Sequence, residues 1–495
     1  MRPLRQLASA TVLYGLSSVL GRILNYLLVP FYTSIFLPAD YGLLTEWYAY
    51  AALLQIFYTY GMETAYFRFA KQVPAAFDLA VSALLASSLV LSGLLVLFAT
   101  PITVSIAHPG CERYVYYFAA VLTVDAALVL PFAQLRLQNK AFLFASIKFL
   151  QIGLNIVLNL VLLYGCAHIH AGNFLVRLQP YVSFFYDPTK NVEYVFIANL
   201  VANIAAVPWL GKSLLRIKFQ LPWHQLRPML AYAWPLLPMG LAGAVNEMLG
   251  RAILRHWLPP GFYPGQSSEA IVGIFGACYK LSVFMFLGIQ AFRYAAEPFF
   301  FAHARTSNVS VLFSTVMHWF TLGACFILFA VSVNLDLLGH LLLRKAEYRT
   351  ALEVVPYLSL GYLFLGMYYN LSVWFKVTDK THYGIFLTSI GALITIVLNI
   401  VLLPIVGYWG SVWAALASYA TMCLLCYYWG QKHYPIPYRL GRQLAYIMGT
   451  MGSVYLVRSI VYISWTHAII SNAVLTLLFG MLLYTLACKK GIRKC

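Results

Sequence analysis

The sequence contains few charged residues and more apolar ones than a soluble protein carries. Of its 495 residues only 10% are Asp, Glu, Lys or Arg, whereas 62% are hydrophobic. Soluble domains average about 25% charged and about 45–50% apolar residues. A water-soluble fold could not cover this much apolar surface, but a bilayer can, because lipid replaces the missing polar shell. The composition excludes a soluble protein and predicts an integral membrane protein.

Acidic residues are especially scarce, with 15 Asp and Glu against 33 Lys and Arg and a net charge of +18. The basic residues occur in short clusters between apolar stretches of about twenty residues, the length of a membrane-spanning helix. This spacing is typical of charges that hold loops on the cytoplasmic side. Because no basic stripe of a folded soluble domain is evident, we expect no nucleic-acid partner.

Motifs of catalysis and metal binding are also missing. The sequence has no P-loop, HExxH or GxSxG motif, and the longest gap between apolar segments, residues 168–192, is too short for a catalytic domain. Cys423 and Cys426 form a CxxC inside an apolar stretch without a second pair, and His168 and His170 lie in a loop. We therefore expect no enzyme, no metal site and no cofactor, and a secondary transporter or facilitator rather than an ATP-driven pump.

What the sequence does contain is a series of apolar segments long enough to cross about 30 Å of hydrocarbon at 1.5 Å per residue. About fourteen spans are predicted, and we number them in chain order. They lie near residues 8–32, 41–61, 78–106, 114–135, 142–167, 193–215, 230–257, 270–292, 308–334, 352–375, 382–404, 410–430, 443–464 and 466–487.

The first apolar stretch, Leu7 to Leu37, is too long for a cleaved signal peptide and contains Arg22. Pro235 and Pro238 predict a bend in span 7.

The orientation follows from the distribution of basic residues. With the N-terminus inside, 21 of the 33 Lys and Arg fall in cytoplasmic segments, 7 in outer segments and 5 inside spans. This bias predicts a positive-inside protein with both termini in the cytoplasm. One predicted outer loop, around Arg344 to Arg349, departs from the pattern.

The chain repeats itself at nearly constant offsets of 229, 231 and 240 residues. The matching pairs are Leu20-Gly21-Arg22 with Leu249-Gly250-Arg251, Gly42 and Tyr48 with Gly273 and Tyr279, and Ile156–Leu163 (IVLNLVLL) with Ile396–Leu403 (IVLNIVLL). Single apolar matches arise easily by chance, but together they predict two lobes of six spans each. Because six is even, the lobes should have the same orientation, as in the parallel repeats of secondary transporters.

The predicted fold is thus an all-α polytopic bundle of two parallel six-helix lobes and two additional helices. We assign residues 1–220 to the N-terminal lobe, residues 221–432 to the C-terminal lobe, and residues 433–495 to spans 13 and 14 and a basic cytoplasmic tail.

Several charged residues fall deep inside predicted spans, where a charge costs about 2.5–3.5 kcal/mol on insertion scales and marks a functional candidate. Arg22, Asp125 and Lys280 are the deepest, and Asn25 shares the helix face of Arg22. Two interpretations are open: these side chains line a substrate cavity, or they form structural ion pairs that hold helices together.

Two further positions have weaker support from their spacing. Arg251 follows Glu247 by one helical turn, which suits an intrahelical pair, and it is the fourth candidate for the cavity. Asp125 and Glu247 are the candidates for coupling transport to protons or sodium ions. Lys148 lies close enough to a span end to extend its ammonium to the lipid headgroups.

A set of basic residues falls at the predicted cytoplasmic ends of the spans. It comprises Arg68, Arg136, Lys140, Arg293, Lys376 and Lys380. Such clusters attract anionic lipid heads, at about 1 kcal/mol for each Lys or Arg. The same residues could equally serve topology alone.

Five stretches of the chain resemble a known family. They are Gly15–Gly42, Gly61–Arg68, Asp125–Lys148, Val272–Phe300 and Lys376–Gly384. Together with twelve-plus-two predicted spans, they are similar to the Wzx-type oligosaccharide flippases of the multidrug/oligosaccharidyl-lipid/polysaccharide (MOP) exporter superfamily. The likeness covers nearly the whole chain and consists of hydrophobic fingerprints rather than a catalytic signature.

The resemblance implies a V-shaped bundle around a central cavity in the bacterial cytoplasmic (inner) membrane. It implies alternating access that moves an undecaprenyl-diphosphate-linked oligosaccharide from the inner to the outer leaflet, for the biosynthesis of surface polysaccharide such as O-antigen. Arg22 falls where relatives often carry a cavity arginine. The family leads us to expect an acidic residue before Arg251, but Gly250 stands there, and Glu247 could substitute for it.

Two other functions remain open from the sequence. A MATE-like exporter of the same fold would take cationic drugs and favour an acidic cavity, whereas intramembrane bases outnumber acids here. A membrane-embedded polysaccharide polymerase or glycosyltransferase would need a larger soluble part. The expected partners are the lipid-diphosphate-linked oligosaccharide and membrane lipids, with a polymerase and glycosyltransferases as candidate protein partners.

Overall fold

The structure is a computed structural model of the chain. It describes residues 24, 26–70, 72–73, 75–138, 140–214, 217–219, 221–303, 309–378, 380–460 and 464–491. Every regular element in these residues is a helix, as the apolar periodicity predicts.

Long apolar stretches form most of the helices, and breaks at proline, glycine and polar residues divide several of them. In chain order they are α1 Leu28–Ile35, α2 Pro38–Thr59, α3 Met62–Phe69, α4 Ala76–Leu97, α5 Ala99–Ser105, α6 Glu112–Leu137, α7 Ala141–Leu160, α8 Cys166–His170, α9 Gln179–Phe185, α10 Asn191–Ile204, α11 Val207–Leu214, α12 Trp223–Ala233, α13 Leu236–Trp257, α14 Ser268–Leu281, α15 Val283–His303, α16 Val309–Val333, α17 Leu335–Leu342, α18 Val355–Leu371, α19 Val373–Val377, α20 His382–Val406, α21 Trp409–His433, α22 Leu440–Arg458 and α23 Trp465–Gly491. A π-helical turn, Val161–Gly165, joins α7 to α8, and 3₁₀ turns lie at Val176–Leu178, Pro188–Lys190 and Ala346–Val354.

The described helices confirm a multi-pass, all-α membrane protein. Ten helical segments are long and apolar enough to cross a membrane, and an eleventh arises if α14 and the first part of α15, bent by 44°, count as one span. The predicted number of fourteen remains a prediction, because most of the first predicted span, residues 8–32, lies outside the described residues. The helix of span 7 is interrupted where the bend is predicted, since α12 ends at Ala233 and α13 begins at Leu236, beside Pro235.

The described residues form two compact units. Unit 1 comprises those up to Leu28 together with Leu43–Ala244, and unit 2 comprises Val29–Gly42 together with those from Val245 onward. The predicted lobes follow the sequence repeat rather than this packing, and their boundaries at residues 220 and 432 remain predictions.

The repeat is visible as matching local structure at an offset of 240 residues. In unit 1 the Lys140 N–H donates to the Leu135 carbonyl at 2.9 Å, and in unit 2 the Lys380 N–H donates to the Phe375 carbonyl at 2.8 Å. One helix later, Asn159 and Asn399 each donate from Nδ2 to the carbonyl one turn back, both at 2.7 Å. The two units therefore build the same turn and helix from related sequences.

Segment Val29–Gly42 packs within unit 2 through backbone groups. Lys345 Nζ donates to the carbonyls of Ile35 at 3.1 Å and Phe36 at 2.8 Å, at the C-terminal end of α1. A cation is favourable there because the last carbonyls of a helix lack partners and carry partial negative charge. The basic loop around Arg344 to Arg349 is the exception to the predicted charge pattern. This contact gives the loop a structural role.

The repeated glycines pack against each other in unit 2. A Cβ on Gly42 would overlap the Glu269 carbonyl, and one on Gly273 would lie 2.8 Å from the Gly42 nitrogen. Only glycine allows the start of α2 and helix α14 to approach this closely.

Candidate functional site

Asp125 of α6 is the centre of a polar cluster in unit 1. Its Oδ1 accepts a hydrogen bond from Asn203 Nδ2 at 2.8 Å, and Asn203 Nδ2 also lies 3.0 Å from Asn199 Oδ1. Asn199 Nδ2 donates to the Tyr48 hydroxyl at 3.1 Å, and Gln151 Nε2 donates to Asn203 Oδ1 at 3.3 Å. Four helices, α2, α6, α7 and α10, thus hold the carboxylate through amide side chains.

Lys148 of α7 supplies the positive charge beside this cluster. Its charge acts on Asp125, and its Nζ lies 4.0 Å from the centre of the Phe132 ring. The sequence predicts that this ammonium extends to the lipid headgroups; instead it is held over an aromatic ring next to a carboxylate, which stabilises it better than apolar surroundings would.

Unit 2 buries a polar cluster of a different composition, centred on Asn246 of α13. Asn246 Oδ1 accepts from Thr395 Oγ1 at 2.9 Å and from Ser418 Oγ at 3.2 Å. Nearby, Ser411 Oγ donates to Asn399 Oδ1 at 2.7 Å. These side chains, on α13, α20 and α21, are buried and carry no charge.

Gly250 explains why no acidic residue precedes Arg251. A Cβ at position 250 would lie 2.8 Å from Ser411 Oγ and 3.3 Å from Asn399 Oδ1. The neutral cluster therefore occupies the space that an acidic side chain at this position would need.

Arg251 contacts the aromatic surface of α14. Its Cζ lies 4.3 Å from the centre of the Tyr279 ring, and its Nη2 donates to the main-chain carbonyl of Glu247 at 3.1 Å. The guanidinium thus reaches the Glu247 main chain, and an intrahelical ion pair with the Glu247 carboxylate stays a prediction. Tyr279 is in turn held by Tyr362, whose hydroxyl donates to it at 2.7 Å.

Lys280 directly follows Tyr279 in α14, but its side chain contacts another ring than the one that Arg251 contacts. Its Nζ lies 5.3 Å from the centre of Tyr41, which is fully buried. Within the described part of the chain, no carboxylate lies within ion-pair distance of Lys280. The structure thus places Arg251 and Lys280 beside two aromatic rings in unit 2, while Arg22 and Asn25 lie outside the described residues.

The six basic residues at the predicted cytoplasmic ends are divided equally between the units. In unit 1, Arg136 forms an ion pair with Glu63, and Arg68 Cζ lies 4.5 Å from the centre of the Tyr232 ring. Lys140 is exposed directly before α7.

In unit 2, Arg293 Cζ lies 5.0 Å from the centre of the Tyr369 ring. Lys376 and Lys380 occupy the positions that Arg136 and Lys140 have in the repeat. The two matched pairs of cations flank the same type of turn in each unit.

An apolar groove of about 550 Å³ lies between α15 and α16 in unit 2. Its walls include Ile289 and Phe292 of α15 and Trp319, Phe320 and Ile327 of α16. Thr315 is the one hydroxyl in the lining, and it donates to the Val311 carbonyl. The groove is suited to hydrocarbon rather than to a polar ligand.

Sequence reasoning missed one buried ionisable pair. Glu46 Oε2 lies 3.0 Å from His108 Nε2 in unit 1, and Glu46 Oε1 accepts from the Tyr50 hydroxyl at 2.8 Å. Glu46 lies within predicted span 2, and an acidic residue inside a span indicates a buried partner. His108 lies in a loop, however, and no local sequence pattern connects the two residues. Among the described residues no group of His, Cys, Asp and Glu could hold a metal ion.

The chain has the fold of known membrane transporters. It superposes on the lipid II flippase MurJ in an inward closed conformation with a TM-score of 0.71, at 11% identity over 96% of this chain and 98% of that one. It also superposes on an inward-facing multidrug resistance MATE family transporter of the MOP superfamily, with a TM-score of 0.60, at 14% identity over 88% of this chain and 95% of that one. For a eukaryotic MATE transporter the TM-score is 0.52, at 13% identity over 92% and 98% of the two chains. No family model and no curated protein matches the sequence.

Proposed function

We propose that this protein is a secondary transporter that moves an undecaprenyl-diphosphate-linked oligosaccharide from the cytoplasmic to the outer leaflet by alternating access. The observation that carries the proposal is Lys280, a cation in an apolar helix with no carboxylate partner in the described part of the chain. A half-buried charge in a membrane helix is stabilised by a counter-ion, and an anionic substrate would supply it during transport.

Arg251 strengthens the preference for an anion. Its guanidinium can bind a diphosphate through two parallel hydrogen bonds, whereas Lys280 acts as a point charge. Arg251 lies over the Tyr279 ring and Lys280 over the Tyr41 ring, so an anion at either ring would find a cation beside it.

The fold and the apolar groove agree with a lipid-linked substrate. MurJ is by its name a flippase for lipid II, and its fold is the one that this chain adopts with a TM-score of 0.71. The groove between α15 and α16 offers a hydrocarbon surface that an isoprenoid tail could occupy while the head group crosses.

A MATE-like exporter of small molecules is the second candidate. It is favoured by the MATE neighbours and by Asp125, a carboxylate of the kind that a cationic drug or a coupling ion would bind. Asp125 is already engaged by Asn203 and by the charge of Lys148, which favours the lipid flippase. A polymerase or glycosyltransferase has no supporting feature in the described residues.

The test is a flipping assay in proteoliposomes with a fluorescent undecaprenyl-diphosphate-linked sugar, in which a membrane-impermeant quencher measures transfer between leaflets. We expect transfer by the wild type and its loss in Lys280→Ala, with wild-type rates in the control Lys432→Ala, which changes an exposed lysine at the end of α21. A cationic dye gradient, assayed in parallel, should not be transported. Dye transport without lipid transfer would replace the flippase by an exporter.

A further inference from the structure

The loop between the spans Ala141–His170 and Pro188–Leu210 is folded and carries an exposed apolar face. We call residues 171–187 the aromatic loop; it contains the 3₁₀ turn Val176–Leu178 and helix α9. The charge distribution predicts that it lies on the outer side of the membrane.

The exposed face is unusually apolar. Phe184 is 93% exposed and Tyr181 is 73% exposed. The other large apolar side chains of the face, all exposed, are Phe174, Leu175, Val176, Leu178 and Phe185. Seven exposed large apolar side chains within one short segment mark an interaction site.

Hydrogen bonds and packing fix the position of this face. Gln179 Nε2 donates to the His170 carbonyl at 3.1 Å, and Ser183 Oγ lies 3.0 Å from His170 Nδ1. On the opposite side of α9, Val182 is buried, and the buried Tyr186 stacks on Tyr194 with ring centres 5.0 Å apart. The loop is therefore tied to the end of α8 and the start of α10, close to the point where both spans leave the membrane.

We propose that the aromatic loop lies in the membrane interface, with its exposed side chains inserted among the lipid headgroups and upper acyl chains. The two spans that flank it also expose large apolar side chains, among them Tyr164 before the loop and Val201 after it, so that the chain need not leave the bilayer boundary between them. Phenylalanine and tyrosine are favourable at this depth, where an apolar ring and a polar tip can both be accommodated. Arg177, exposed on the 3₁₀ turn, is placed to reach the headgroup phosphates.

Lipid is favoured over a protein occupant by geometry and composition. The segment is short and is bound back to the span ends through His170, so it cannot extend far into the aqueous phase. A single cation among seven apolar side chains suits anionic phospholipid heads, which attract an arginine near the surface. This inference is independent of the substrate that the protein transports.

Photo-crosslinking tests the proposal without removing a native cysteine. The photoreactive residue p-benzoylphenylalanine is placed at Phe184 or, in a second variant, at Tyr181, and the purified full-length protein is irradiated in phosphatidylcholine and phosphatidylglycerol liposomes. The matched control carries the same residue at Gln266, an exposed position in the predicted outer loop of unit 2.

We expect a mass increase of one phospholipid at positions 184 and 181 and none at 266. A product of twice the protein mass, or a product with a second protein when whole cells are irradiated, would show that protein covers the face and would overturn the proposal. Absence of any lipid adduct at both positions would overturn it as well.

The role of Arg177 has its own readout. In mixed liposomes the fraction of phosphatidylglycerol among the adducts at position 184 should exceed its fraction in the bilayer. Arg177→Gln should reduce this enrichment by about fivefold at most. An unchanged lipid composition of the adducts would exclude a contact between Arg177 and the headgroups.

Discussion

The two units bury polar side chains in different ways although their sequences repeat. Unit 1 encloses a carboxylate, Asp125, with an amide partner and a neighbouring ammonium, Lys148. Unit 2 encloses only neutral groups around Asn246, and its deep cations, Arg251 and Lys280, contact aromatic rings.

The difference shows that one architecture can place its charges in two kinds of surroundings. The charges of unit 1 can compensate each other, because acid and base lie in one cluster. In unit 2 the Lys280 ammonium lies beside a ring face, which offers less than a counter-ion does. An anionic ligand would therefore gain more from unit 2, and an exchangeable cation more from unit 1.

The sharpest test of this comparison is the removal of the cation from α14. We expect Lys280→Ala to abolish transport of the lipid-linked sugar with the protein still present in the membrane, because a contact to a charged group contributes about 1.5–3 kcal/mol, or about ten- to hundredfold. Export of surface polysaccharide in cells at native expression measures this loss.

Arg22→Ala should likewise abolish export, and Arg22→Lys should restore part of the export unless the diphosphate is held by two parallel hydrogen bonds. Normal export by both alanine variants would show that neither Lys280 nor Arg22 contributes to substrate transport.

The next effect concerns the acid–base cluster of unit 1. Asp125→Asn should lower the free energy of unfolding by about 3–5 kcal/mol if the carboxylate compensates Lys148, because a lone buried charge remains. The double variant Asp125→Asn/Lys148→Met should then be more stable than Asp125→Asn alone, as thermal unfolding in detergent would show.

A coupling role for Asp125 makes a different prediction. Asp125→Asn would then fold and bind lipid-linked sugar but respond no longer to an imposed proton or sodium gradient in liposomes. A stable variant with the wild-type response would exclude both roles.

A smaller effect is expected where the neutral cluster of unit 2 excludes a side chain. Gly250→Ala should destabilise the protein by about 1–3 kcal/mol, because its Cβ would crowd Ser411. Gly243→Ala on the same helix is the matched control: nothing lies within 4 Å of its added Cβ, and alanine favours the helix by about 1 kcal/mol. Equal unfolding temperatures for the two variants would contradict the close packing at Gly250.

The smallest effect belongs to an exposed ion pair of unit 1. Hydrogen bonds from Lys190 and Thr189 hold the pKa of Asp187 well below its usual range. A carboxyl with a depressed pKa adds stability above its unfolded pKa of about 3.9 and loses it as the pH falls further. The unfolding temperature of Asp187→Asn should thus be slightly below that of the wild type at pH 7, and the gap should close below about pH 4 and in high salt. If the difference in unfolding temperature persists below about pH 4 and in high salt, packing and not charge causes it.

Much of the fold was accessible from the sequence because lipid imposes simple rules on a chain. Apolar stretches such as Ile396–Leu403 must be helical in a bilayer, since every backbone group has to bond internally. The repeats at offsets of 231 and 240 pointed to paired helices, and the turns at Lys140 and Lys380 confirm the match. The same rules placed Asp125 and Lys280 inside spans without their neighbours being known.

The partners of those charged residues were decided only by tertiary structure. Lys148 lies beside Asp125, Glu46 beside His108, and Lys345 at the end of α1, and each pair joins segments whose separation carries no local signal. Periodicity fixes which residues share a face of one helix, whereas the partner depends on how helices pack. Hydropathy alone thus determined that this chain forms membrane helices, and the packing of those helices decided which charges lie beside an opposite charge and which lie beside an aromatic ring.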